Sequence, residues 1–196
     1  MNLIQRVKNM ILTPKTEWSA IAQEEQTMAT VITSYVIPLV LVGALATFIG
    51  YGLIGINYGL IRMSGMGWGI RMAVIQICSA IIGVIVTAFV VDSLAPSFGS
   101  EKNINKSAQL VAYGYTPAFI GAILSILPAI AIIGSLFGLY GIYLMYIGLG
   151  PLKKTPEDKK VVYLVVTIVV LIVVYLVIGV ILGSILGTRI GATTIY

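Results

Sequence analysis

From Ser107 to Leu152, between Lys106 and Lys153, 46 consecutive residues carry no charged side chain, which leaves the chain few ways to fold. As one helix rising about 1.5 Å per residue this run would be roughly 70 Å long, more than twice the ~30 Å hydrocarbon core of a bilayer. It must therefore fold back on itself. Pro128 near its middle divides it into halves of about 20 residues, each long enough to cross once, and a helix-breaking proline suits the place where the chain turns.

The other charge-free windows complete the pattern, because a charge at the bilayer centre costs on the order of 2.5 to 3.5 kcal/mol. Gln26 to Ile61, Met72 to Val91 and Val161 to Thr188 are uncharged. Five spans are predicted, at about 31–54, 71–94, 108–127, 129–149 and 161–186. The fold expected is all-α: a polytopic integral membrane protein, a five-helix transmembrane bundle preceded by short N-terminal amphipathic interfacial helices. In domain terms this gives a cytoplasmic segment 1–30, a transmembrane domain 31–187 and a short extracytoplasmic tail 188–196. Apolar residues make up 59% of the chain and charged residues 10%, against about 25% charged in soluble domains, too little polar surface for a soluble protein. The longest polar segments, Met1 to Thr30 and Ser93 to Lys106, fall well below the ~50 residues of an independent domain.

The first apolar block follows some thirty residues of mixed polarity without a short basic head, so it reads as a retained anchor and not as a cleavable signal. The net charge of +5 resides in short connectors beside spans, where it faces lipid headgroups; nucleic-acid binding is not expected. The single cysteine, Cys78, lies within the second span, cannot form an internal disulfide and leaves the redox compartment open. With five spans, one side of the membrane carries Arg6, Lys8, Lys15, Lys102, Lys106, Lys153, Lys154, Lys159 and Lys160, nine of the 12 basic residues. The other has Arg62, Arg71 and Arg189. The positive-inside bias predicts a multi-pass protein of the cell's inner (cytoplasmic) membrane with a cytoplasmic N-terminus and an extracytoplasmic C-terminus.

Residues 2 to 12 place Leu3, Ile4, Val7, Met10 and Ile11 at helical spacing opposite Gln5, Arg6, Lys8 and Asn9, the pattern of an amphipathic helix in the interface. Thr13 and Pro14 read as N-cap and first position of a second short helix, with Trp18 and Ile21 on one face and Trp18 at headgroup level. These helices either brace the bundle or dock a cytoplasmic partner. The connector after span one holds Gly52, Gly55, Gly59, Gly65, Gly67 and Gly69 with Tyr51, Tyr58 and Trp68, and reads as an extracytoplasmic loop or shallow re-entrant segment. It is no phosphate-binding loop, since neither a Lys-Ser or Lys-Thr pair nor a preceding strand accompanies the glycines. Gly179, Gly183 and Gly187 in span five, and Gly134 and Gly138 in span four, recur every fourth residue, as small residues do where helix backbones approach closely. Such faces serve internal packing or a homodimer seam.

The chain has no histidine, which removes His-ligated metal sites, Ser-His and Cys-His nucleophiles and histidine proton shuttles. No paired aspartates or serine with a base stand at membrane depth for intramembrane proteolysis. An enzyme is not expected, nor a cofactor or a metal. Of seven carboxylates only Asp92 abuts a span. With Tyr113, Tyr115, Thr116 and Pro117 it forms a candidate polar cluster, either a proton or cation path or, at the water interface, a helix cap or a partner of Lys102 or Lys106. Trp18, Lys153, Lys154, Lys159 and Lys160 are candidate contacts to lipid or to a protein partner.

Three segments together resemble the Yip-one domain family, the Ypt-interacting or Rab-GTPase-interacting membrane proteins, in their small prokaryotic form. They are LTPKTEWSAI (Leu12 to Ile21) running into SYVIPLVLVGALATFIG (Ser34 to Gly50), VAYGYTPAFIGAILSILP (Val111 to Pro128), and LFGLYGIYLMYIGLGPLKKTPEDKKVVYLVV (Leu136 to Val166). The more specific parts are Tyr-x-x-Thr-Pro at Tyr113 to Pro117 and Leu-Tyr-Gly-x-Tyr-Leu at Leu139 to Leu144. The resemblance implies five spans and a cytoplasmic N-terminus. It also implies kinship with eukaryotic members that associate with small GTPases in vesicle traffic, but those have long cytoplasmic N-terminal regions against some thirty residues here, so a small-GTPase partner does not transfer readily. Two function classes follow: a non-enzymatic scaffold, membrane organiser or partner-binding protein, or a small transporter or permeation subunit using the polar path near Asp92.

Overall fold

The computed structural model describes residues 2–58 and 61–192, with residues 57–58, residues 61–62 and the last helix beyond Val177 given by backbone alone. It is a helical membrane bundle. Five helical stretches are long and apolar enough to span a bilayer: Met28–Ile54, Met66–Phe98, Ile104–Ile126, Pro128–Lys153 and Glu157–Val177. Ahead of them come α1 (Leu3–Leu12), capped by the Asn2 side chain, and α2 (Pro14–Ala22). Thr13 does not cap α2 with its side chain as expected; its hydroxyl donates back to the Asn9 carbonyl instead.

Prolines set several of the irregularities of the spans. Span one comprises α3 (Met28–Val31), a π-turn at Ile32–Val36, α4 (Ile37–Phe48) and a second π-turn at Ile49–Ile54. Pro38 has no N–H for the Ser34 carbonyl and its ring crowds that turn, so the helix widens just before it. Span two is α5 (Met66–Leu94), finished by a 3-10 turn at Ala95–Phe98. Span three breaks at Tyr115 into α6 (Ile104–Gly114) and α7 (Thr116–Gly121), then tightens to 3-10 at Ala122–Ile126. The break follows from Pro117, which cannot bond the Tyr113 carbonyl; the Thr116 hydroxyl donates to that carbonyl instead, at 2.6 Å. Leu127, extended as a residue before proline must be, turns the chain at Pro128 into α8 (Ala131–Lys153). The last helix is α9 (Lys160–Ala192). The expected tail therefore begins on a helix, and its residues 193–196 lie outside the described residues.

The connector after span one, read as a loop or shallow re-entrant segment, contains regular structure. This is a short antiparallel hairpin, β1 (Ile56–Tyr58) with β2 (Ile61–Met63), entered through Gly55 at φ 78° and left through Gly65 at φ 134°, both conformations that favour glycine.

Span two packs on span one and on α6, span three packs along span four, and α9 touches α5 and α8 more lightly. Glycines set the seam between spans three and four, but not at the spacing the sequence suggested. A Cβ on Gly134 would run into the Gly121 carbonyl oxygen, and one on Gly121 into that of Gly134. One on Gly141 would stand 2.8 Å from the Gly114 carbonyl oxygen, and one on Gly148 would meet Leu110 at 2.6 Å and Trp18 at 2.8 Å. The seam thus follows every seventh residue of α8. Gly138, read as part of the packing face, meets nothing within 4 Å. Gly179, Gly183 and Gly187 lie on α9 beyond the residues whose surroundings are described.

Candidate functional site

Asp92 sits on the last turns of α5 with its carboxylate turned inward, and the start of α6 folds over it. Its Oδ1 accepts from the backbone N–H of Asn103 at 2.8 Å, from the Ser107 hydroxyl at 3.0 Å and from Lys153 Nζ at 3.1 Å. Lys153 arrives from the end of α8, is fully buried, and also donates to Ser107 Oγ at 2.7 Å and to the Asn103 carbonyl at 3.3 Å. Asn103 meanwhile caps α6, its side chain accepting from the N–H groups of Asn105 and Lys106. One ion pair therefore ties the ends of spans two and four to the start of span three. Around it, Tyr163 donates to the Val91 carbonyl and stacks on Phe98 with ring centroids 4.8 Å apart, while Ser100 and Thr155 pair through their hydroxyls at 2.9 Å.

A second buried cluster lies on the same face. Arg6 of α1 donates to Glu17 of α2 at 2.6 Å and to Glu24, with its guanidinium 5.3 Å from the centre of the Tyr113 ring. Asn9 donates to the other Glu17 oxygen at 2.8 Å. Burial alone would lower the Arg6 pKa, but the hydrogen bond to Glu24 and the charges of Tyr113, Glu24 and Glu17 outweigh it, and the net shift is upward. Tyr113 donates to Gln26 at 3.0 Å, and Gln26 to Glu24 at 2.9 Å. Tyr35 of span one donates to Thr116 at 2.6 Å, since the Thr116 proton is committed to the Tyr113 carbonyl. Lys106 fixes the α2-to-span-one linker by donating to the carbonyls of Ala22 at 2.7 Å and Glu24 at 2.8 Å.

With the bundle and its two clusters in view, comparison with known families is decisive: the model of the Yip1 domain matches residues 8–187. The chain belongs to the Yip1 domain family. No curated protein and no solved structure matches it.

In this Yip1 domain the polar residues singled out from sequence do not form one cluster. Asp92 pairs with Lys153; Tyr113, Thr116 and Pro117 belong to the Arg6 cluster and its proline break; Tyr115 points elsewhere, its hydroxyl 2.9 Å from that of Thr87. Neither Lys102 nor Lys106 is the partner of Asp92. Trp18 is no contact for lipid or a partner: it is fully buried against Gly148 and Tyr113, because α2 lies on α8 where glycine leaves room for the indole. Of the four connector lysines, Lys154 and Lys159 are exposed; Lys153 is buried with Asp92, and Lys160 is buried with its ammonium paired to the exposed Glu157. Arg6, assigned to the polar face of α1, is buried, while Ile4 and Leu12 face outward.

The missed residues are the partners themselves. Lys153 was readable only as one of four lysines, and Glu17, Glu24 and Ser107 carried no signal, since their partners are distant in the chain. Among the described residues no group of three or more His, Cys, Asp or Glu side chains is placed to hold a metal ion.

Proposed function

We propose that this Yip1-domain protein is a non-enzymatic membrane scaffold that organises partners or lipids at one face of the bilayer. It sits in the cell's inner (cytoplasmic) membrane with its N-terminus cytoplasmic and its C-terminus on the opposite side. One observation carries the reading: the buried ionisable groups are committed to internal ties. Asp92, the acid within a span, is held by Lys153, Ser107 and the Asn103 N–H, and Arg6 by Glu17 and Glu24. Groups locked in this way brace helices and are poorly suited to load and release a cation. The transporter reading loses its main candidate residue to that clamp.

What the N-terminal face offers outward is different. Ile4 and Leu12 of α1 are exposed beside Lys8 and Lys15, and Lys102, Lys154 and Lys159 stand exposed around the bundle end. An apolar ridge with basic neighbours suits an anionic bilayer surface, worth about 1 kcal/mol per basic residue, and equally a membrane-protein partner or a second copy of the chain. In-membrane crosslinking with mass spectrometry tests this on the wild type and on Ile4→Ser/Lys8→Glu, which alters the outward face and leaves Arg6 in place. A reproducible partner, or anionic-lipid enrichment, that the double variant loses supports the scaffold. Identical profiles, together with a solute flux in vesicles that Asp92→Asn abolishes, would replace it with the transporter.

A further inference from the structure

Between the middle of the bundle and its Arg71 end, and independent of the scaffold reading, spans one, two, three and five surround a cavity of about 400 Å³, within the range of small-molecule sites. Its walls are small because Ala80, Gly83, Ala118 and Ala122 line it. On the helices that supply Gln76, Gly83 and Tyr175 to its lining, the neighbouring Ile75, Ile82, Ile172 and Leu176 are exposed, so the medium beside it is the lipid interior.

The polar groups in this apolar cavity are mostly hydrogen-bond donors without partners. Gln76 accepts from Thr47 through Oε1, while its Nε2 donates to no described residue; Gly43 opens the space its amide occupies. The hydroxyls of Ser79, Ser125 and Tyr175 have no hydrogen-bond partner among the described residues. In hydrocarbon no water compensates such groups, and donors gathered round one void call for an acceptor that enters it. Arg71, which cannot sit deep, marks the headgroup level, and Gln76 lies five residues further along α5, about 7.5 Å below it. That is within reach of the carbonyl region of a lipid, with Ser79 one turn deeper on the same face.

We propose that this cavity binds one acyl lipid of the surrounding bilayer, its ester carbonyl accepting from the Gln76 amide and the Ser79 hydroxyl while the chain lies along Ala80, Ala118 and Ala122. The full chain, reconstituted in nanodiscs of ester phosphatidylcholine doped with a diazirine-bearing acyl analogue, is irradiated and its adducts are mapped by mass spectrometry. Adducts should concentrate at 76–83 and 118–125 at least threefold over the exposed residues Leu136 and Leu139 of span four. They should fall at least threefold in Gln76→Leu, in the cavity-filling Ala80→Phe, and when host and probe are diether analogues lacking the carbonyl. The diether arm uses the unaltered protein and stands even where a variant fails to fold. Adducts spread evenly along the outer helices, or equal labelling by ester and diether lipids, would overturn the proposal.

Discussion

Lys153 and Asp92 show why a lysine in a basic connector need not be a surface charge. Both are buried, and removing one partner of a buried pair leaves the other unsatisfied, at a cost of about 3–5 kcal/mol. Lys153→Met should therefore lower the midpoint of thermal unfolding in detergent sharply. Asp92→Asn in the same chain should recover part of the loss, because the neutral amide still accepts from Asn103 and Ser107. Additive losses in the double variant would mean the pair is not coupled. Arg6 obeys the same logic with a planar fork that reaches Glu17 and Glu24 together, which a lysine ammonium does not reproduce. Arg6→Lys should cost about 1.5–3 kcal/mol and speed amide exchange across α1 and residues 17–24, with little change elsewhere. A folded-state pKa raised above the unfolded one gives stability that is full below the unfolded value and lost only as pH rises through the folded one. For an arginine that window lies above any pH used for membranes, so the Arg6 contribution should not vary with pH through its own titration.

The helices themselves were legible because hydrocarbon forbids charge, so uninterrupted apolar runs mark them. Their contacts were less so. Gly134 and Gly138 satisfied the four-residue spacing in the sequence, yet the seam takes Gly134, Gly141 and Gly148 against Gly121, Gly114 and Leu110, a seven-residue repeat present in the sequence and visible only once spans three and four are aligned. The two glycines make a matched test. Gly134→Ala pushes a methyl group into backbone and should destabilise by about 1–3 kcal/mol, whereas Gly138→Ala meets open space and should be neutral or stabilising by about 0.5–1 kcal/mol through lower unfolded-state entropy. Equal effects by chemical unfolding in mixed micelles would remove the seam. The Thr-Pro element behaves as a unit of local structure: Pro117 orphans the Tyr113 carbonyl and Thr116 satisfies it, so Thr116→Val, nearly isosteric, should cost about 1–3 kcal/mol. The hydroxyl relay from Tyr35 had no sequence signal, because its two ends lie 81 residues apart.

For the whole protein the remaining question is which way the bundle faces. Nine basic residues against three favours a cytoplasmic N-terminus. Four of the nine, Arg6, Lys153, Lys154 and Lys160, are in ion pairs within the folded chain, but orientation is set during insertion, before those pairs exist, and all nine count then. Two exposed positions report the outcome: Lys8 on α1 and Ser64 in the connector after span one, beyond the hairpin. In a Cys78→Ser background, a membrane-impermeant thiol reagent applied to intact cells should label Ser64→Cys and leave Lys8→Cys unmodified until the membrane is permeabilised. The reverse pattern would invert the protein and, with it, the face on which partners are sought. Replacing Lys8 and Lys15 by glutamine leaves seven against three, so the same labelling pattern should persist; inversion by that change alone would show that the first span, and not the sum over connectors, decides orientation in this protein.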